Sequence, residues 1–250
     1  MKASHLFLIT AALFAAGCNK DKSATVDGGG DAPAVTATPV AAPNGGDWTT
    51  IVKATPEGGF VMGNANAKVK LVEYGSLTCP HCAEFDEKGV PSLIDNYVKK
   101  GLVSWEFRNY VRDPFDMTAA KLANCGGEAS YFGLTRSFYA DQKEWYGKIQ
   151  QADPARLQAI QNAAPAVQFA TIADIAGFLP WAAQRGLPRE KAQACLADKA
   201  LTDKLVKVNA DAISNYNLAG TPTFLINNNV VQNAATWVDL EPAIKRALAD

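Results

Sequence analysis

The sequence predicts an α/β fold, a mixed strand-and-helix unit interrupted by an all-helical insertion lobe. Three observations carry this. Strand-like runs cluster near 59–74, at 103–108 and again at 223–231, helical patterning fills 113–217 between the last two, and an amphipathic helix closes the chain at 240–249. At 250 residues and 48% hydrophobic content the chain is long enough to bury a real core. Its net charge of -1 and pI near 6.1 give no basic footprint, so nucleic acid is not an expected partner.

Residues 1–18 place a lone Lys2 ahead of an apolar stretch from Leu6 to Ala16 and set the small residues Ala15, Ala16 and Gly17 before Cys18. This reads as a secretory signal, too short to span a membrane comfortably. A cysteine directly after Ala-Ala-Gly resembles the bacterial lipobox, with Ala15 where a Leu is usual. Cys18 is therefore the expected lipidation site, and conventional cleavage leaving a soluble domain is the alternative. With Asn19 following the cysteine, the resemblance favours an outer-membrane anchor facing the periplasm. Residues 19–47, rich in Ala, Gly, Pro, Thr and Asp, read as a flexible linker spanning roughly 90 Å at most when extended.

The folded domain is expected at 48–250, with 48–112 and 218–250 forming the α/β unit and 113–217 the insertion. A strand at 59–62 leads through a Gly63–Asn66 turn into a buried strand carrying Val69, Leu71, Val72 and Tyr74. Phe85, Leu93, Ile94 and Val98 then recur at helical spacing up to Lys99-Lys100-Gly101, and 103–108 alternates at period two. Helices are expected at 119–124, 131–141, 172–184, 189–196 and 201–215. A strand at 223–226, an Asn227–Asn229 turn, Val230-Val231 and the closing helix complete the chain. Most of the aromatic residues, Trp105, Trp145, Trp181 and Trp237 among them, are expected in the core, and Arg108, Arg112 and Lys121 in solvent.

The chemistry lies where the second strand gives way to a helix, at Cys79-Pro80-His81-Cys82. A cysteine at a helix N-terminus meets unpaired N–H groups and the positive end of the helix dipole, both of which favour a thiolate, and the next turn holds a second thiol within reach. Cys79 is the expected nucleophile, with an exposed sulfur, and Cys82 the resolving thiol. A half zinc site has the same spacing but needs a second close pair, which the sequence lacks. His81 has two readings, an exposed helix-start residue or a ring that stabilises the Cys79 thiolate. Glu73 likewise either reaches solvent from the strand end or lies buried, where its raised pKa lets it exchange a proton with Cys82. Thr221-Pro222 precedes a strand and suits a cis bond that leaves the Thr221 N–H and C=O free for an extended substrate.

Taken together, Cys79-Pro80-His81-Cys82, Glu73 and Thr221-Pro222 resemble the DsbA-like thiol:disulfide oxidoreductase family, a thioredoxin-like fold with a helical insertion. The resemblance covers roughly 48–250. It implies disulfide donation to folding exported proteins, a membrane-bound reoxidising partner, Pro222 facing the disulfide, and no cofactor beyond the Cys79–Cys82 disulfide itself. Thr221 stands where the best-known oxidases have Val and isomerase-like relatives have Thr, so a reductase or isomerase of the same fold is the alternative, followed by a redox-inactive binding module or chaperone. Once Cys18 is set aside, Cys125 and Cys195 remain, and in an exported domain a structural disulfide between them is expected, two separate buried thiols being the other option. Residues 19–47 are too short and polar to form a dimerisation domain, so a monomer is expected.

Overall fold

The computed structural model describes residues 37–250. The signal, Cys18 and the first part of the linker lie outside them. In chain order the elements are β1 (Val52–Ala54), β2 (Phe60–Met62), β3 (Val69–Gly75), α1 (Pro80–Lys88), α2 (Val90–Leu93) and β4 (Val103–Asn109). The helical block follows as α3 (Pro114–Cys125), α4 (Tyr131–Ala140), α5 (Gln142–Gln150), α6 (Pro154–Gln161), α7 (Pro165–Ala176), α8 (Phe178–Ala183), α9 (Arg189–Ala197) and α10 (Lys199–Tyr216). Then come β5 (Thr223–Ile226), β6 (Asn229–Val230) and α11 (Trp237–Ala249).

The strands form one mixed sheet in the order β1-β2-β4-β3-β5-β6, with β3 and β4 parallel and every other pair antiparallel. Alternation along β3 decides what lies on each face. Val72 and Tyr74 pack with Val208 and Ala212 of α10, while Leu71 joins the larger core of Phe85, Trp105, Phe107, Phe224 and Leu240. Glu73 shares the Leu71 face, so the strand aims a carboxylate into the main core. That core continues into the helical block through Tyr131, Phe138, Trp145 and Phe178.

Several elements depart from the sequence reading. The linker expected to run to Asp47 is held against the domain from Val40, whose N–H donates to the Lys100 carbonyl and whose C=O accepts from Trp48 Nε1 at 2.7 Å. Gly101 makes that contact possible, because its φ of +67° and the closeness of the Trp48 ring leave no room for a side chain. The helix after the cysteines is not one piece. It breaks at Gly89 before Pro91 and ends in a wide turn over Ile94–Val98, where the Lys99 N–H reaches back to the Ile94 carbonyl. β1, α5 and α6 add to the expected elements. α5 buries only Gln142, Trp145 and Ile149 and α6 only Ile160, too sparse a pattern to register as helical periodicity. Helix α3 starts at Pro114 rather than near 119, capped by the Asp113 side chain.

Arg108 and Lys121 also depart from expectation, for both are buried. Arg108 donates from Nε and Nη2 to Glu106 and from Nη1 to the Tyr74 hydroxyl. Lys121 Nζ donates to the Asp198 carbonyl and the Thr202 hydroxyl, tying α3 to the start of α10. A charged group at a two-layer junction is retained there because local acceptors satisfy its donors.

Candidate active site

β3 ends at Gly75, a short loop of Ser76, Leu77 and Thr78 follows, and Cys79 occupies the N-cap of α1 with Pro80 at its first position. Proline suits that position because it lacks an N–H. Among the described residues no side chain caps α1, and the His81 and Cys82 N–H groups at its start bond the Cys79 sulfur. The two cysteines are free thiols, and their environments diverge. The Cys79 thiol is lowered to about 5, by the hydrogen bond from Cys82 above all, with further help from the Thr221 side chain and the Cys82 and His81 backbone N–H groups, against the opposing effect of burial. Burial and the neighbouring Cys79 push Cys82 well above the ordinary thiol range.

The Thr221–Pro222 peptide is cis, and Cys79 Sγ donates to the Thr221 carbonyl at 3.3 Å. Pro222 is buried beside it. The exposed sulfur expected of Cys79 is not what the fold presents: the residue is 2% exposed, because the Thr221–Pro222 turn lies against the thiol. The Thr221 C=O is therefore engaged while Cys79 is a protonated thiol, and free when Cys79 is a thiolate or part of a disulfide.

Glu73 is fully buried beneath the pair and accepts from Trp105 Nε1 at 3.1 Å. Loss of solvent raises its pKa well above the carboxylate range, and the charge of Asp86 raises it further. Asp86, one helical turn beyond Cys82, is pushed up to about 6 by burial despite an ion pair with Arg136 at 3.3 Å. Tyr139, buried with no partner for its hydroxyl among the described residues, completes the surroundings of Cys82 and Glu73. A helix-start dithiol, a carboxylate in the strand beneath it and a cis-proline turn across it thus come from three separate stretches of sequence.

The sequence model of the family described as Thioredoxin matches residues 55–246, more than half of the chain. The chain belongs to the thioredoxin family. A crystal structure of protein-disulfide isomerase from Novosphingobium aromaticivorans is 35% identical and superposes with a TM-score of 0.73, over 76% of this chain and 97% of that one. Wolbachia pipientis α-DsbA1, 21% identical with a TM-score of 0.61 over 76% of this chain and 90% of its own, shares the fold. A putative protein-disulfide oxidoreductase of Rickettsia bellii is 26% identical over 71% of this chain, and the match spans only 60% of that protein's length.

In this thioredoxin-family centre the predicted residues Glu73, Cys79, Cys82, Thr221 and Pro222 meet at one place. The His81 ring does not join them in the way expected of it. His81 is exposed, and it is its backbone N–H, supplied by the turn of the helix, that lowers the Cys79 thiol. Cys125 and Cys195 form a disulfide with a Cα–Cα distance of 5.9 Å, joining α3 to α9 away from the dithiol. Among the described residues no group of three or more His, Cys, Asp or Glu gathers in a metal-binding arrangement, and no helix is long and apolar enough to cross a membrane.

The polar residues around the loop escape a reading of the sequence. Gln142, at the start of α5, donates to the Leu77 and Cys79 carbonyls, and Asp116 of α3 accepts from the Leu77 N–H and the Ser76 hydroxyl. The one available signal is Asp113-Pro114, an N-cap followed by a first-turn proline, with Asp116 at the third helical position. An open groove of about 910 Å³ runs beside the site between α1 and the α4–α5 corner, lined by Pro80, Glu84, Asp86, Arg136 and Gln142, with neither cysteine on its wall.

Proposed function

We propose that this chain is a protein thiol:disulfide oxidoreductase that donates the Cys79–Cys82 disulfide to exported proteins as they fold. The observation that supports this best is the divergence of the two thiols, Cys79 down to about 5 and Cys82 well up. A thiol so readily ionised is a good leaving group, and stabilising the reduced form makes the disulfide an oxidant.

In the proposed cycle a substrate thiolate attacks Cys79 Sγ of the disulfide. A bond forms between the substrate sulfur and Cys79, the Cys79–Cys82 bond breaks, and Cys82 takes up a proton. Burial favours the protonated form of Glu73, which in this reading supplies that proton. A second substrate thiolate then attacks the substrate sulfur and expels Cys79 as a thiolate. The substrate loses two electrons and gains a disulfide, and the enzyme is left as the dithiol. In the disulfide, as in the mixed disulfide and the thiolate, Cys79 carries no proton to donate to the Thr221 carbonyl, so that C=O is available to an extended substrate backbone throughout.

Turnover requires reoxidation, which the family resemblance assigns to a membrane-bound partner. Export into the periplasm, and an anchor through Cys18, are part of the same proposal and rest on residues 1–18 alone. A second reading, a reductase or isomerase, is favoured by the 35% identity to the Novosphingobium protein-disulfide isomerase and by Thr221 before the proline. Equilibrating the purified protein in graded glutathione buffers separates the two. A reduction potential near about -120 mV supports donation, and one near about -270 mV supports the reductase. A Cys79→Ser variant that kept its full biological effect would instead indicate a redox-inactive binding module.

A further inference from the structure

The loop carrying the nucleophile belongs to the α/β unit, yet most of the side chains that hold it belong to the helical insertion or the link leading into it. Asp116 is wholly buried and uses both of its oxygens. Oδ1 accepts from the Leu77 N–H at 2.8 Å, while Oδ2 accepts from Ser76 Oγ at 2.6 Å and the Arg112 N–H at 3.0 Å. Arg112 also donates from Nε to Ser76 Oγ and from Nη2 to Thr78 Oγ1. Asp113 receives the Thr78 hydroxyl on one oxygen and the Asp116 N–H on the other. The Ser76 carbonyl in turn accepts the Cys79 N–H at 3.0 Å. Ser76, Leu77 and Thr78 are thus each gripped from outside, and Cys79 is gripped through Ser76.

Packing alone does not call for a carboxylate here. Burial pushes the Asp116 carboxyl up to about 7 against the donors that favour its ionised form, so the fold keeps an acid where a neutral residue would sit more cheaply. What the loop conformation fixes is the placement of Cys79 at the N-cap, with its sulfur facing the His81 and Cys82 N–H groups and 3.3 Å from the Thr221 carbonyl.

We propose that Asp116 is a positioning residue for Cys79, holding the Ser76–Thr78 loop so that the sulfur lies at the open N-terminus of α1. This rests on Cys79 being the reactive thiol of the function proposed above, but not on the direction of electron flow. The charges concerned are Arg112 and Asp113 beside Asp116, with Glu73 and Asp86 near Cys82.

The test is the ultraviolet thiolate titration of the reduced protein, with thermal unfolding in parallel, for Asp116→Asn and Ser76→Ala. Loss of positioning raises the Cys79 midpoint, by about one unit or tenfold in thiolate at a given low pH for Asp116→Asn, and by less for Ser76→Ala, which leaves the Leu77 and Arg112 N–H bonds to Asp116 in place. A purely electrostatic role predicts no rise in the midpoint for Asp116→Asn, because an acid held near 7 is already protonated where Cys79 titrates, near 5. A purely structural role predicts a lower unfolding temperature with the midpoint unmoved. Either of these overturns the proposal. If Asp116→Asn does not fold, Ser76→Ala decides: a raised midpoint supports positioning and an unchanged one refutes it. A wild-type protein that titrates near pH 5 but exchanges no disulfides would remove the functional reading and leave this test intact. Normal exchange with unmoved midpoints would remove the positioning role alone.

Discussion

The molecule carries two cysteine pairs, and they sit at opposite ends of helices. Cys79 is the N-cap of α1, facing unpaired N–H groups, with Cys82 in the first turn. Cys125 is the last residue of α3, and Cys195 lies in the last turn of α9. The helix dipole favours a thiolate at the first location and disfavours one at the second. Three of the four buried acids among the described residues, Glu73, Asp86 and Asp116, gather around Tyr139 and Cys82 of the first pair. The same chemical group is therefore reactive or structural according to which end of a helix it occupies and whether carboxyls and a cis-proline turn surround it.

The largest expected effect sets the two pairs directly against each other. Cys79→Ser should abolish disulfide exchange in a peptide-oxidation assay. The Cys125→Ser/Cys195→Ser double variant should retain exchange within a few-fold while losing about 4 kcal/mol in denaturant unfolding, the chain-entropy value for a bridge across 70 residues. Exchange lost with the second pair, or retained without Cys79, would break the comparison.

A second expectation concerns pH. Since the folded Cys79 value, about 5, lies below the unfolded thiol value, its thiolate stabilises the reduced form fully above the unfolded value, and this contribution is lost as pH falls through about 5. The reduction potential should accordingly fall by about 59 mV per pH unit below pH 5 and by about 30 mV per unit above it. A single slope across that range would mean that Cys79 is not the ionised thiol.

Glu73 sharpens the contrast further. Its raised folded value means that the native state holds an extra proton, so this group makes stability decline as pH rises from about 4 toward the folded value. Glu73→Gln should remove that decline in the reduced protein and slow the release of Cys82 by about a hundredfold in stopped-flow exchange. If release is unaffected, another group supplies the proton. The smallest effect is expected from His81→Ala, whose ring is exposed while its backbone N–H is kept. The Cys79 titration midpoint should move by less than about half a unit, and a larger shift would restore the ring to the mechanism.

The sequence carries the order of elements well wherever burial follows a clear period. β3, β4 and β5 lie within a residue of their expected bounds, because each alternates or runs apolar between turn residues. It carries α5 and α6 poorly, as only scattered residues of each reach the core. At the site, Cys79, Cys82 and Pro222 are legible because their chemistry is bound to local backbone geometry, a helix start and a turn. Asp116, Gln142 and Arg112 are not, since a polar residue on a helix looks the same in sequence whether it faces water or a loop folded against it.

By itself, then, the sequence determined the local chemistry: a dithiol at a helix N-terminus, a carboxylate within the preceding strand, and a proline ahead of another strand. These follow from short-range rules of backbone geometry and alternation. Only the tertiary structure decided that Cys79 is covered by the Thr221–Pro222 turn, that exposed His81 reaches Cys79 through its backbone N–H, and that the insertion lobe grips the Ser76–Thr78 loop. The first and last of those depend on contacts between residues tens of positions apart, and such contacts are fixed by how the two layers pack, which no local pattern encodes.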